Sequence, residues 1–200
     1  MIVREYYDRR GDEYDQGLFE RPDPEAAAAF TREVAALGAV LAALPPARVL
    51  DVACGTGLFT QHLRGQVVAV DQSQPMLAIA RRRVPAARLV RAAAPALPFA
   101  DLAFERLFTS FFYGHLVGVE RVAFLAEARR LAPELVVADA AAYQGVRPDG
   151  WRQRVLRDGS RYVVYKCHFT AAQLLAEVGG QGEVLFAGPL FVAVRAALAG

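Results

Sequence analysis

Lysine is nearly absent from this chain of 200 residues: Lys166 is the only one, and arginine carries almost all the positive charge. Lysine and arginine together number 23 against 21 acids, a net charge of +2. That balance gives little electrostatic reason to expect a nucleic-acid partner. With alanine so abundant, the preference for arginine fits a GC-rich coding sequence without any functional cause. Cysteine is equally scarce. Cys54 and Cys167 allow at most one bridge, and neither a disulfide framework nor a zinc spacing exists. A reducing cytoplasm is the simplest home. No membrane anchor is expected, because the apolar run over residues 34–47 is too short to span a bilayer and is interrupted by Pro45 and Pro46. The first seven residues, with Arg4, Glu5, Tyr6 and Tyr7, do not make a signal peptide. No internal repeat is visible. What remains is a chain with 54% hydrophobic and 22% charged residues, suited to one globular domain over residues 1–200.

Strand-like and helix-like segments alternate along most of it. Asp23, Pro24 and Glu25 form a helix start, an acid cap followed by proline at the first helical position. Phe30, Val34, Leu37, Leu41 and Leu44 then give one buried face. Residues 48–52 read as a strand covered on both sides. A short helix is expected over 58–64, then a strand over 66–70 that ends in Asp71. Ser73 caps the next helix, with Pro75 in its first turn. Arg81, Arg82 and Arg83 close that helix as a solvated end, where cations favour the dipole. Further strands are expected over 88–91, 104–111 and 135–138, the last leading into Asp139. Between the last two lies a helix over 120–131 with Val122, Leu125 and Ala128 as its apolar stripe. This order predicts an α/β fold with a parallel sheet, and ligands outside the carboxyl ends of its strands. Residues 141–160 break the pattern and read as a long excursion or cap. A strand over 161–169, a helix capped by Thr170, and an antiparallel pair over 183–187 and 190–195 complete the chain.

The chemistry centres on residues 49–59. Asp51 ends a strand, and Gly55 and Gly57 let the chain turn sharply and a ligand approach closely. A tight strand-to-helix turn explains the glycines alone. An acid before them is an odd neighbour for phosphate, and suits a ligand with a cationic part and a carboxylate. Asp71 then stands at the spacing of a ribose-binding acid. A nicotinamide dinucleotide is the competing ligand. Its fingerprint wants a third glycine where Thr60 stands, and it gains nothing from Asp51.

On these residues the chain resembles the class I S-adenosylmethionine-dependent methyltransferases, in particular the small-molecule, methyltransferase type 11-like branch with an Asp-x-x-Cys-Gly-Thr-Gly loop. Residues 49–57 resemble that family's first motif, and residues 67–76 its second, with Asp71, Ser73 and Met76. Leu97, Pro98 and Phe99 followed by residues 104–116 look like its fourth-strand segment, and residues 169–179 with the last strands like its C-terminal helix and hairpin. The resemblance implies a Rossmann-like three-layer αβα sandwich, its seven-stranded sheet mostly parallel with a C-terminal antiparallel hairpin. It implies S-adenosyl-L-methionine as cofactor, S-adenosyl-L-homocysteine as product, and a small-molecule acceptor methylated at O, N or C. By the same resemblance Asp51, Ala53, Gly55 and Gly57 would surround the methionine part, and Asp71 the ribose. Gln72 and Met76 would border the adenine. Tyr14, in an N-terminal arm or lid over residues 1–22, would lie near the cofactor carboxylate. Ser110 and His115 would face the reacting methyl.

One departure stands out. Where the family has an acid that accepts from the adenine amino group, this chain has Ala93, so backbone groups at Ala93 and Ala94 would hold the ring. Losing a hydrogen bond to a charged group costs about 1.5–3 kcal/mol, roughly ten- to a hundredfold in affinity. The same departure fits a second reading, a cofactor-binding partner or regulatory protein without catalysis. If the acceptor needs a general base, His115 is the candidate; packing or capping is its other role, and Asp139 is an alternative contact to the acceptor. Phe111, Phe112 and Tyr113 line an acceptor pocket or pack in the core. Trp151 with Arg152, Arg154 and Arg157 forms a cap for an anionic or aromatic acceptor, or a solvated loop.

Overall fold

The computed structural model describes residues 4–15, 23–143, 145 and 147–198. Its centre is a sheet of seven strands. They are Ala47–Val52 (β1), Gly65–Asp71 (β2), Arg88–Arg91 (β3), Arg106–Ser110 (β4), Glu134–Ala140 (β5), Gly182–Ala187 (β8) and Phe191–Ala197 (β9). The spatial order is β3-β2-β1-β4-β5-β9-β8. The first five pair in parallel, and β9 runs antiparallel to both β5 and β8. The remaining strands, Asp149–Val155 (β6) and Arg161–Cys167 (β7), form a separate antiparallel hairpin.

Helices cover both faces, which is why the central strands carry apolar residues at successive positions. Pro24–Ala43 (α2) starts where Asp23 accepts from the Glu25 N–H, with proline at the first turn. Its row of Phe30, Val34, Leu37 and Leu41 packs on Val49, Phe108 and Val136. By length and hydropathy α2 is long and apolar enough to cross a membrane, but that row is spent on the sheet, the packing of a core helix. Gln74–Arg83 (α3) lies on the same face, with Leu77 against Ala69. The other face takes Phe124, Ala128 and Leu131 of Val119–Leu131 (α4), and Leu174 and Val178 of Ala171–Val178 (α5), against Leu50, Leu107, Leu135 and Val194. The three-layer sandwich with its C-terminal antiparallel strands follows from these two rows of contacts. Arg4–Arg10 (α1) packs on the hairpin through Tyr6, Leu156 and Val164.

Three local expectations change. Residues 58–64 form no α-helix, only one 3₁₀ turn, Thr60–His62. Thr60 turns its hydroxyl onto Asp51 and Leu63 is already extended, so the turn cannot propagate. In α4, Val122 is 69% exposed, and the buried row is Phe124, Ala128 and Leu131. Residues 141–160 are not all excursion: they contain β6, a largely exposed strand that pairs with β7 residue for residue. Residues 144 and 146 of that segment, and 1–3 and 16–22 of the arm, lie outside the described residues.

Candidate active site

Sheet order reverses between β1 and β4, and the chain leaves their carboxyl ends in opposite directions. In an open α/β sheet that divergence opens a crevice. Here it is a cavity of about 510 Å³, within the range of small-molecule sites. One side is lined by Ala53, Gly55, Asp71, Gln72, Met76 and residues 92–95; the other by Ser110, Phe111, Phe112, His115, Leu116 and Phe124, with Tyr7 and Tyr14 of the arm.

Gly55 has φ +55°, and a Cβ built there meets nothing within 4 Å, so the backbone is bare toward the cavity. Gly57 (φ +77°) is different. It backs onto α3, where a Cβ would lie 3.3 Å from Val84, and it does not line the cavity. Asp71 ends β2 and bridges outward. Its Oδ2 accepts from the Gly55 N–H at 2.9 Å and its Oδ1 from the Ser73 N–H at 2.8 Å. Each carboxylate oxygen has a second lone pair, so both retain acceptor capacity. Burial raises the Asp71 pKa, opposed by those N–H groups. Asp51 lies behind the wall rather than on it. Its Oδ2 accepts from the Thr60 hydroxyl at 2.6 Å, and its buried Oδ1 has no hydrogen-bond partner among the described residues. Burial pushes its pKa to about 7, with the Thr60 hydrogen bond opposing and Asp71 adding. A buried carboxyl with an open oxygen is a place for an ammonium group.

Ala53 and Phe111 leave β1 and β4 in the left-handed region, at φ +58° and +52°. For residues with a Cβ this costs about 1–2 kcal/mol each. Both outliers sit at the cavity, where strain is held to aim backbone and side chain. Ala92, Ala93 and Ala94 give the adjoining wall no carboxylate.

His115 follows β4 in the 3₁₀ turn Tyr113–His115. Its Nδ1 lies 2.5 Å from the Tyr165 carbonyl, and its Nε2 lies 3.4 Å from the Tyr7 hydroxyl. A carbonyl oxygen only accepts, so Nδ1 carries the proton and Nε2 presents a lone pair. Burial, then the Lys166 charge, lowers the pKa to about 4. The ring is neutral near pH 7 and a weak base.

Asp139 does not reach the cavity. It is fully buried, with Lys166 Nζ at 2.6 Å on Oδ1, the Ala140 N–H on the same oxygen and the Gly114 N–H on Oδ2. Burial raises its pKa, but Lys166 and the N–H donors outweigh that and lower it. The chain's one lysine thus pins β7 to the end of β5. Nor do the arginines of residues 141–160 line the cavity: Arg152 donates to the Arg147 carbonyl, and Arg157 pairs with Glu13. Cys54 and Cys167 are both free thiols.

Sequence reasoning missed three things. Tyr7 lines the cavity beside Tyr14, whose phenol burial pushes to about 12. Arg83 is not a solvated helix end. It reaches Asp15 Oδ2 at 2.5 Å and the Thr56 hydroxyl at 2.8 Å, and Thr56 donates to Asp15 Oδ1. This fastens the arm to the glycine loop. Lys166 had only its rarity as a signal.

Comparison with known proteins bears on this arrangement. Residues 49–134 match the family described as Methyltransferase domain. The match runs from β1 through the start of β5, the half of the sheet that builds the glycine loop and Asp71. The chain is 40% identical over 98 residues to a demethylmenaquinone methyltransferase of Thermus thermophilus, covering 44% of each. It is 48% identical over 65 residues to dTDP-3-amino-3,6-dideoxy-alpha-D-glucopyranose N,N-dimethyltransferase of Streptomyces fradiae, 30% of this chain and 26% of that one. The matches thus span less than half the length of these curated relatives. Among solved structures, the DhpI–SAM–HEP complex superposes with TM-score 0.73 at 22% identity, covering 96% of this chain and 94% of that one. The fold of that chain therefore extends over nearly the whole of this one.

Proposed function

We propose that this chain is an S-adenosylmethionine-dependent methyltransferase that moves a methyl group to an O, N or C atom of a small-molecule acceptor. The observation that carries it is Asp71, held by Gly55 and Ser73 with unused acceptor capacity toward the cavity. The methyltransferase-domain match and the relatives named above support the same reading. The residues fit such a cofactor: a bare glycine backbone at Gly55 and a carboxylate, Asp71, with acceptor capacity for ribose hydroxyls, with the Asp51 carboxyl buried behind that wall. Ala53 and Gly55 border its methionine tail, Asp51 and Gly57 back it, and Gln72, Met76, Ala93 and Ala94 border the adenine. When bound, the cofactor supplies a sulfonium methyl already activated for transfer. The chain's own work is alignment and exclusion of water. Tyr7 and Tyr14 close the cavity from the arm, and Ser110, Phe111 and His115 bound the acceptor side. With a pKa of about 4, His115 positions an acceptor by hydrogen bonding more readily than it removes a proton. Free thiols and a near-neutral charge fit a cytoplasmic enzyme without nucleic-acid or membrane partners.

Thermal unfolding with S-adenosylhomocysteine tests this. At about a hundredfold excess over Kd, binding adds about 2.7 kcal/mol, a rise of roughly 5–10 °C for a chain of this size. Asp71→Ala is expected to stay folded and lose most of that rise. No shift with either adenosyl ligand at millimolar concentration refutes the proposal, and a shift with a nicotinamide dinucleotide replaces it. The absent carboxylate at Ala93 favours one other reading, a cofactor-binding regulatory or partner protein. Binding without S-adenosylhomocysteine formation across a broad acceptor panel would select it.

A further inference from the structure

The part of the cavity assigned to the base of an adenosyl cofactor carries no ionisable side chain. Residues 92–95 give it three methyl groups and a pyrrolidine ring, and Gln72 and Met76 complete the lining there. The carboxylates of the wall lie elsewhere: Asp71 is held by the Gly55 and Ser73 N–H groups, and Glu120 accepts from the Val117 N–H at the start of α4. Arg91, next to this stretch in sequence, turns its Nε to the Gln72 carbonyl and does not line the cavity.

The polar groups left to meet a base are those of the main chain. The Ala92 N–H donates to the Asp71 carbonyl at 3.1 Å, where β3 leaves β2. Beyond it, neither the N–H nor the C=O of Ala93 or Ala94 has a hydrogen-bond partner among the described residues. Each of the two residues therefore offers one donor and one acceptor, and the Gln72 amide also carries both signs.

The sign of these groups decides selectivity. Adenine donates from its 6-amino group and accepts at N1; hypoxanthine accepts at O6 and donates from N1–H. An ionised carboxylate only accepts, so it pairs with the first edge and repels the second. A site built on such a one-signed partner rejects the wrong ligand strongly, because polar groups are left unpaired. Main-chain groups of both signs can pair with either edge. Ala93 is also exposed, so water can take up a polar group left over and a substituent on the 6-amino group has an open side.

We infer that Ala93 makes this site tolerant of its cofactor's base, so that adenosyl, inosyl and N6-alkyladenosyl forms are held alike. This rests on the methyltransferase reading and deepens it by setting the range of cofactors the chain takes.

The test is calorimetric titration of the full chain with three ligands that differ only at the base: S-adenosylhomocysteine, S-inosylhomocysteine and N6-benzyl-S-adenosylhomocysteine. Their dissociation constants are expected to agree within about tenfold. Ala93→Asp puts a lone acceptor on the wall and is expected to raise the preference for the adenosyl over the inosyl ligand by about tenfold or more. A merely structural role for residue 93 would shift both ligands together and leave that ratio unchanged. Should the variant not fold, the ratios on the parent protein decide alone. A parent preference of more than about tenfold among the three ligands, or a ratio that does not rise in Ala93→Asp, overturns the inference while the cofactor reading stands. A parent that binds none of the three fails at the earlier step, and both readings fall.

Discussion

Lys166→Met is the substitution for which the structure makes the strongest prediction. The ammonium is 2.6 Å from Asp139 Oδ1, and the Asp139 side chain is wholly inaccessible to water. Methionine keeps most of the side-chain volume and the packing beside Phe111, whose ring centroid is 5.6 Å from Nζ. The chief loss is the charge. Breaking a buried pair from one side costs about 3–5 kcal/mol, because the other charge is stranded. At about 2–4 °C per kcal/mol for a chain of this size, melting should fall by roughly 6–20 °C at neutral pH. The pH dependence follows from signs. In the parent, the Asp139 pKa is lowered below its unfolded value, so its stabilisation is present above that value and is lost as pH falls through the folded one. In the variant, burial acts without the lysine and raises the pKa. The variant is then penalised at neutral pH and relieved as acid protonates the carboxyl. The gap between parent and variant should narrow from about pH 7 toward pH 4. Asp139→Asn combined with Lys166→Met removes the stranded charge and should recover part of the loss, a coupling of at least about 1 kcal/mol. The assay is thermal unfolding across pH. A single variant melting within about 2 °C of the parent, with a gap that does not change with pH, refutes the argument.

Two further outcomes follow from the cavity wall. Asp51 has a folded pKa raised to about 7, so its contribution is complete below the unfolded value and lost as pH rises through the folded one. Asp51→Asn should therefore gain in melting temperature relative to the parent as pH rises from about 4 to 7 and level off above that, and a constant difference across that range would count against the buried carboxyl. Arg83→Ala should cost no more than about 1 kcal/mol, because the pair with Asp15 is a quarter exposed. Its main effect should be faster proteolytic cleavage of the N-terminal arm, with a weaker apparent affinity for S-adenosylhomocysteine; an unchanged cleavage rate would show that the arm is held elsewhere.

Much of the fold is legible in the sequence for a local reason. Asp23 before Pro24, Ser73 before a helix, and Thr170 with Gln173 are signals whose donor and acceptor lie within three residues of each other. The central strands declare themselves because burial on both faces leaves apolar runs. The expectations that failed depend on partners distant in sequence. A helix over 58–64 satisfies local preference until Thr60 is drawn to Asp51, which only the folded turn brings within 2.6 Å. The β6 strand is masked because both of its faces are largely solvated, Trp151 and Val155 included, so its residues show no apolar alternation, and its pairing with β7 is set by register rather than composition.

The same distinction separates the two halves of the cavity. On the proposed reading the cofactor side is written mostly in one stretch: Ala53, Gly55, Asp71, Gln72 and Met76 come from the ends of β1 and β2, the turns that follow them and the start of α3. The acceptor side is assembled across the chain. The His115 lone pair is directed by a carbonyl on β7, and β7 is held in place by Lys166 on Asp139 at the end of β5. Tyr7 arrives from the first helix, which is seated by Tyr6 against Leu156 and Val164 of the hairpin. Changing the hairpin therefore changes which tautomer His115 presents and where the arm rests, without touching the glycine loop. A chain built in this way can alter its acceptor through β6 and β7 while leaving its cofactor site intact. For that reason the motifs at residues 49–76 speak to the cofactor and are silent on the acceptor.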